Sequence, residues 1–124
     1  MAVVLIIDDE EDIRTIATLA LEDVGGFEVV TAANCAEGLQ AAAKHRPDVI
    51  LLDVMMPDVN GLVTFDRLQN LPETRETPII FMTARVQRDE VAELQATDAK
   101  GVIAKPFDPM TLADEVTELT GVRP

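Results

Sequence analysis

The 124-residue chain has no tryptophan, no tyrosine, one cysteine, one histidine and four phenylalanines. Aromatic residues make up 3% of the sequence and hydrophobic ones 48%, so the core must be built from Val, Ile, Leu, Ala and Met. A single thiol, Cys35, cannot close an internal disulfide, which fits a reducing compartment. A single histidine, His45, without further thiols leaves no set of ligands for zinc. Basic residues are scarce, 10 against 23 acids, giving a net charge of −13. Such a surface repels nucleic-acid phosphates and anionic membranes, so no direct nucleic-acid or membrane binding is expected. No apolar run approaches the ~20 residues needed to cross a bilayer. The first strand opens at Val3, which leaves no room for a signal peptide. The expectation is a soluble, cytoplasmic protein. Also missing are a glycine-rich phosphate loop, an internal repeat, a low-complexity segment and a linker, so residues 1–124 are expected to form one domain, with no output domain attached if the chain ends naturally just after its last helix.

What is present is an alternation of short apolar runs with segments of helical period. Val3 to Ile7 predicts a first strand. Glu11 to Val24 predicts a first helix, with Ile13, Ile16, Ala17, Ala20, Leu21 and Val24 on its core face and Gly25-Gly26 as its stop. Phe27 to Thr31 predicts the second strand. Asn34 and Glu37 have the spacing of an N-cap and its capping-box partner for a second helix reaching His45, which Pro47 closes. The third strand runs from Val49 into Asp53. Asn60-Gly61 turns into a third helix up to about Asn70, and a polar loop, Pro72 to Thr77, precedes a fourth strand at Ile79 to Met82. Gln87 to Thr97 predicts the fourth helix and Val102 to Ala104 the fifth strand. Asp108-Pro109 reads as the N-cap and first residue of a fifth helix. Strands that are continuously rather than alternately apolar are buried on both faces. Five βα units of this kind predict an α/β fold with a parallel sheet and helices on both sides.

The chemistry lies where these strands end. Asp8 and Asp9 follow the first, Asp53 ends the third, Thr83-Ala84 follows the fourth and Lys105-Pro106 follows the fifth. In a parallel sheet these ends share one edge, where open α/β sheets bind ligands. Two like charges about 4 Å apart repel by roughly 4 kcal/mol at an effective dielectric of 20, so the carboxylates need a countercharge. A hard divalent cation meets that need, and carboxylate oxygens with a backbone carbonyl, that of Met55, suit Mg²⁺. Lys105 and the metal would neutralise a phosphoryl group, and the Thr83 hydroxyl would hydrogen-bond it. Asp53, central among the strand ends, is then the nucleophile, forming an aspartyl phosphate, and Asp8 and Asp9 are ligands. Taken singly, each residue has a plainer reading. Asp8 or Asp9 would cap the first helix, Thr83 the fourth, Lys105 would be a solvated lysine and Asp53 an Asx turn. Their joint placement at the ends of four strands favours the chemical reading. Cys35 is expected to pack as a small hydrophobe, His45 to lie on the surface, Met56 to pack, and Asp89, Glu90 and Glu93 to form a solvated face.

The runs Ile6-Ile7-Asp8-Asp9-Glu10 and Leu52-Asp53-Val54-Met55-Met56-Pro57 with Asn60-Gly61, together with Thr83-Ala84 and Lys105-Pro106-Phe107, resemble the receiver domain of bacterial two-component response regulators, of the single-domain chemotaxis-regulator kind. The resemblance covers essentially the whole chain. It implies a flavodoxin-like, doubly wound (βα)5 fold with strand order 2-1-3-4-5, an order for which the chemotaxis regulator is itself a standard example. It also implies that Asp53 accepts a phosphoryl group from a sensor histidine kinase or a histidine phosphotransfer protein. Asp9, Asp53 and the Met55 carbonyl would bind Mg²⁺ directly and Asp8 through water, while Thr83 and Lys105 would contact the phosphoryl group. The Lys105–Pro106 peptide would be cis. Many receivers carry Tyr or Phe where this chain has Val102, so the aromatic part of the family's switch is missing.

The leading expectation is therefore a phosphorelay switch, not an enzyme proper beyond its own phosphorylation and dephosphorylation. It would present the face of its fourth helix, fifth strand and fifth helix to a downstream protein partner. The alternative is a Mg²⁺-dependent phosphohydrolase working through the same aspartyl phosphate. Against it, Met55 stands where common aspartate phosphatases carry a second acid, and no capping domain is present. A docking module that works without phosphate is disfavoured by the intact acid, threonine and lysine set.

Overall fold

The structure, a computed structural model, describes residues 1–84 and 88–124. Five strands, β1 (Val3–Ile7), β2 (Glu28–Ala32), β3 (Val49–Asp53), β4 (Ile79–Thr83) and β5 (Gly101–Ala104), alternate with helices α1 (Glu11–Leu19), α2 (Cys35–His45), α3 (Gly61–Gln69), α4 (Arg88–Gln95) and α5 (Leu112–Thr120). All strand pairs are parallel, in the order β2-β1-β3-β4-β5. The doubly wound fold and the strand order expected from the sequence are both present.

Continuous hydrophobicity in the central strands has the expected cause. Successive side chains point to opposite faces, and each face meets its own helical layer. Val4, Ile6, Val49, Leu51, Ile80 and Met82 pack with Ala17, Ala20 and Leu21 of the first helical segment and with Leu112, Ala113 and Val116 of α5. Leu5, Ile7, Ile50, Leu52, Ile79 and Phe81 pack with Ala42 of α2, Phe65 and Leu68 of α3, and Leu94 of α4. Phe65 and Phe81, half of the chain's phenylalanines, stack tilted at 5.2 Å in this second layer.

Several helix and strand boundaries differ from those predicted. The first helix does not continue regularly to Val24. It widens into a π-helical turn over Ala20–Val24, where the Gly25 amide reaches the Ala20 carbonyl. Val24, at the end of that wide turn, and Ile16, in the regular part of the helix, are both expected on the core face and are both exposed. The Phe27 amide is then taken by the Leu21 carbonyl, so β2 begins at Glu28 instead of Phe27. At the end of α4, the Thr97 amide and hydroxyl both engage the Leu94 carbonyl, tightening the last turn and ending the helix at Gln95, short of the expected Thr97. Its expected start at Gln87 lies outside the described residues. Asp108 does open the last helical region, accepting the Met110 amide on its carboxylate. Pro109 and Met110 form a turn, however, and α5 starts only at Leu112 after Thr111. The α2 cap is close to expectation. The Asn34 carboxamide oxygen accepts the Glu37 amide at 2.9 Å, and Glu37 returns a bond to the Ala33 amide, one residue earlier than in the standard box.

Candidate functional site

The carboxyl ends of β1, β3, β4 and β5 converge as predicted, and the sheet register sets the spacing. Asp53 lies beside Met82, and Thr83 beside Ala104. The Lys105 amide donates to the Thr83 carbonyl at 2.8 Å, which places Lys105 just past the end of β5. Its Lys105–Pro106 peptide is cis, as the resemblance implied.

Lys105 is the centre of the arrangement. Its Nζ lies 2.7 Å from Asp8 Oδ2, 3.3 Å from Asp53 Oδ1 and 3.7 Å from Glu10 Oε1. Asp8 and Asp53 are buried, at 0% and 2% exposure, whereas the Glu10 side chain is 61% exposed. The ammonium therefore sits between two carboxylates inside the molecule and one at its rim. Short backbone bonds fix the inner pair. Asp8 Oδ1 accepts the Glu10 amide at 2.9 Å, and Asp53 Oδ1 accepts the Met55 amide at 3.2 Å. Arg14 reaches back from α1 to donate to the Asp8 carbonyl at 2.8 Å. Gly61 lets α3 begin against the chain just after β3. A Cβ there would lie 2.6 Å from both the Asp53 carbonyl oxygen and Val54 Cα.

Burial and the Asp8 charge push the Asp53 carboxyl up from an ordinary value of 3.8 to about 7, with Lys105 and the Met55 amide opposing them. Burial also disfavours the Lys105 ammonium, but its bonds and attraction to Asp8 and Asp53 outweigh that cost and raise its pKa above the ordinary 10.5. Lys105 stays charged. Among the described residues Asp53 Oδ2 has no hydrogen-bond partner.

This donor set fits a hard divalent cation. Asp8, Asp9, Glu10 and Asp53 each offer a carboxylate oxygen, and these atoms lie within 4.8 Å of one another. One lysine leaves three of the four charges unbalanced, and the buried, unpartnered Asp53 oxygen is a ready ligand. Exposed Asp9 joins the cluster from the rim. The Met55 side chain faces solvent while its amide holds Asp53. Thr83 is buried at the end of β4. It also lines a groove of about 170 Å³ with Met55, Asn60, Glu90 and Glu93.

Glu10 and Arg14 are the two site residues without a role expected from the sequence. Glu10 carried a usable signal, since a third consecutive acid after a strand adds charge that needs a partner. Arg14 carried none. Outside the site, Cys35 and Met56 are buried and His45 is exposed, as expected. Cys35 is also tied down, with its amide donating to Asp58 and its sulfur accepting from Arg67. The acidic face of α4 is less uniformly solvated than expected, because Glu90 is half-buried.

Comparison with known proteins gives this geometry its context. The family model for the response regulator receiver domain matches residues 4–117. The response regulator Rre1 of Synechocystis sp. is 33% identical over 115 residues, which cover 93% of this chain and 50% of that protein. The phosphate regulon transcriptional regulatory protein PhoB of Pseudomonas aeruginosa is 36% identical over 109 residues, covering 88% of this chain and 47% of the relative. The chain thus spans about half the length of these curated relatives. Among solved structures, the Vibrio cholerae chemotaxis protein CheY4 superposes with a TM-score of 0.88 at 36% identity, covering 96% of this chain and 98% of that one. By profile, sequence and fold, this chain belongs to the response regulator receiver domains of two-component signalling.

Proposed function

We propose that the domain is a phosphorylation-dependent switch in which the Asp53 carboxylate accepts a phosphoryl group from the histidine of a sensor kinase or phosphotransfer protein. In that step the phosphorus–nitrogen bond breaks as a phosphorus–oxygen bond to Asp53 forms, and the bonding electron pair leaves with the imidazole. The observation that carries this reading is the Lys105 ammonium set 2.7 Å from Asp8 and 3.3 Å from Asp53 in a buried pocket. A fixed cation beside a carboxylate that burial has made basic favours an incoming, electron-poor phosphoryl group with anionic oxygens. Thr83, on the neighbouring strand end, would donate its hydroxyl to a phosphoryl oxygen.

Asp8, Asp9, Asp53 and the Met55 carbonyl are the residues that would hold Mg²⁺, which supplies charge neutralisation for both carboxylates and phosphoryl oxygens. The Met55 amide orients Asp53 through its bond to Oδ1. Burial of Asp53 limits the access of water to the acylphosphate.

Signalling follows from what the phosphoryl group does to Thr83 and Lys105. They stand at the ends of β4 and β5, next to α4, and the face of α4, β5 and α5 would meet a downstream protein partner. Val102 is half-buried against the layer that holds Phe81 and Leu94. With no ring to swing in or out there, the switch must work through Thr83, residues 84–88 and α4. Residues 85–87 of that segment lie outside those described.

The test is incubation with Mg²⁺ and acetyl phosphate, read by intact mass. One phosphoryl group is expected on the wild type and none on Asp53→Asn. Equal labelling of the variant would remove the assignment.

A further inference from the structure

Lys105 poses a problem for any cation that enters the pocket. Its ammonium already occupies Asp8 and Asp53, two of the carboxylates a metal would use. Asp53 Oδ2 is open to a second cation, but Asp8 Oδ2 and Asp53 Oδ1 are held by the first, and ligation through them with the ammonium still in place would set like charges only a few ångströms apart in a poorly solvated site. Lys105 must therefore give up Asp8 Oδ2 or Asp53 Oδ1 to a cation that draws on either. It cannot do so by retreating unpaired, since its side chain is only 9% exposed.

A third carboxylate lies within reach. Glu10 Oε1 is 3.7 Å from Lys105 Nζ, too long for a strong pair but close enough that a small side-chain rotation would close the gap. Glu10 is 61% exposed, in contrast to the buried pair, so it can reorient without repacking. Its backbone is nonetheless anchored, because the Glu10 amide donates to Asp8 Oδ1 at 2.9 Å. The acceptor on the rim is thus held next to the carboxylate that the ammonium must leave.

Building on the cation-assisted reading above, we infer that Glu10 is a positioning residue for Lys105, the carboxylate onto which the ammonium shifts when a divalent cation takes Asp8 and Asp53. With Glu10 in place, metal entry exchanges one Lys105 ion pair for another. Without it, entry strands a nearly buried ammonium beside the metal. Glu10 acts through Lys105, and that separates this role from the general attraction of one more negative charge for a cation.

A double-mutant cycle on Mg²⁺ affinity tests the distinction. The four proteins are wild type, Glu10→Gln, Lys105→Met and the double variant, titrated with Mg²⁺ alone and followed by amide chemical shifts. Glu10→Gln is expected to weaken Mg²⁺ on the order of tenfold when Lys105 is present and about twofold or less when it is replaced. Equal losses in both backgrounds would mean that Glu10 acts by its own charge, overturning the inference. No loss from Glu10→Gln would overturn it too. Lys105→Met removes the countercharge of two buried acids and could unfold the metal-free protein. For that case, the Lys105 Nζ resonance of the wild type and of Glu10→Gln gives an independent reading. On Mg²⁺ addition it should remain sharp and shifted in the wild type, and broaden or exchange away in Glu10→Gln. Identical behaviour in the two would again refute the role. A wild type that binds no Mg²⁺ would instead remove the cation-assisted reading itself.

Discussion

Replacing Asp53 by asparagine should stabilise the metal-free domain, and only above the pH at which Asp53 ionises. Asp53 is 2% exposed, its Oδ2 lacks a hydrogen-bond partner among the described residues, and burial with the Asp8 charge lifts its pKa from 3.8 to about 7. A folded-state pKa above the unfolded one means that this group's contribution is fully present below pH 3.8 and is lost as the pH rises through about 7. A rise from 3.8 to about 7 corresponds to roughly 4 kcal/mol between the two protonation states. Asparagine keeps the shape without the charge, but loses the Lys105 contact and places an amide NH₂ near the ammonium. The expected net gain is therefore about 1–3 kcal/mol at pH about 8.5, shrinking towards zero or reversing at pH about 5, where the wild-type carboxyl is protonated when folded. Urea unfolding of both proteins in chelator at the two pH values measures it. A difference that does not change with pH, or a variant less stable at the higher pH, would refute the claim that burial and Asp8 govern Asp53.

Mg²⁺ at millimolar concentration should raise the melting temperature of the wild type, because it binds the folded state selectively, and Asp9→Asn should remove most of that increase. A melting temperature indifferent to Mg²⁺ would count against the cluster as a metal site. Gly61→Ala should cost about 2 kcal/mol or more in urea unfolding, since its Cβ would meet backbone atoms of Asp53 and Val54 at 2.6 Å. A near-neutral change would show that the start of α3 can yield. On adding beryllofluoride, amide shifts beyond the pocket should concentrate between Thr83 and Lys100 and leave α1 and α2 unaffected. Largest changes on α1 or α2 would contradict the proposed signalling face.

The strands and the site were legible in the sequence because both follow from short-range patterns. Ile50, Leu51 and Leu52 are apolar without alternation, which only burial on both faces explains, and each functional residue stands within a position or two of such a run. The residues misjudged are those whose state depends on partners distant in sequence or on backbone geometry. Val24 has helical spacing, yet it falls in the π turn at Ala20–Val24, and nothing local announces the bond from Gly25 to Ala20. Asp108-Pro109 has the composition of a helix start, but Asp108 spends its carboxylate on Met110 in a preceding turn. Thr74, placed in a polar loop, is fully buried because its hydroxyl finds the Leu68 carbonyl at 2.6 Å. The role of Glu10 needed the position of Lys105, which lies almost the whole chain away.

The bond from the Lys105 amide to the Thr83 carbonyl has a consequence beyond holding β5 to β4. It ties the backbone of the residue that carries the hydroxyl directly to that of the residue that carries the ammonium. A shift of the Lys105 backbone would therefore be felt where the chain leaves Thr83. Under the proposed switch, chemistry at one carboxylate would reach the chain beyond β4 through this bond, without any side chain having to travel the distance.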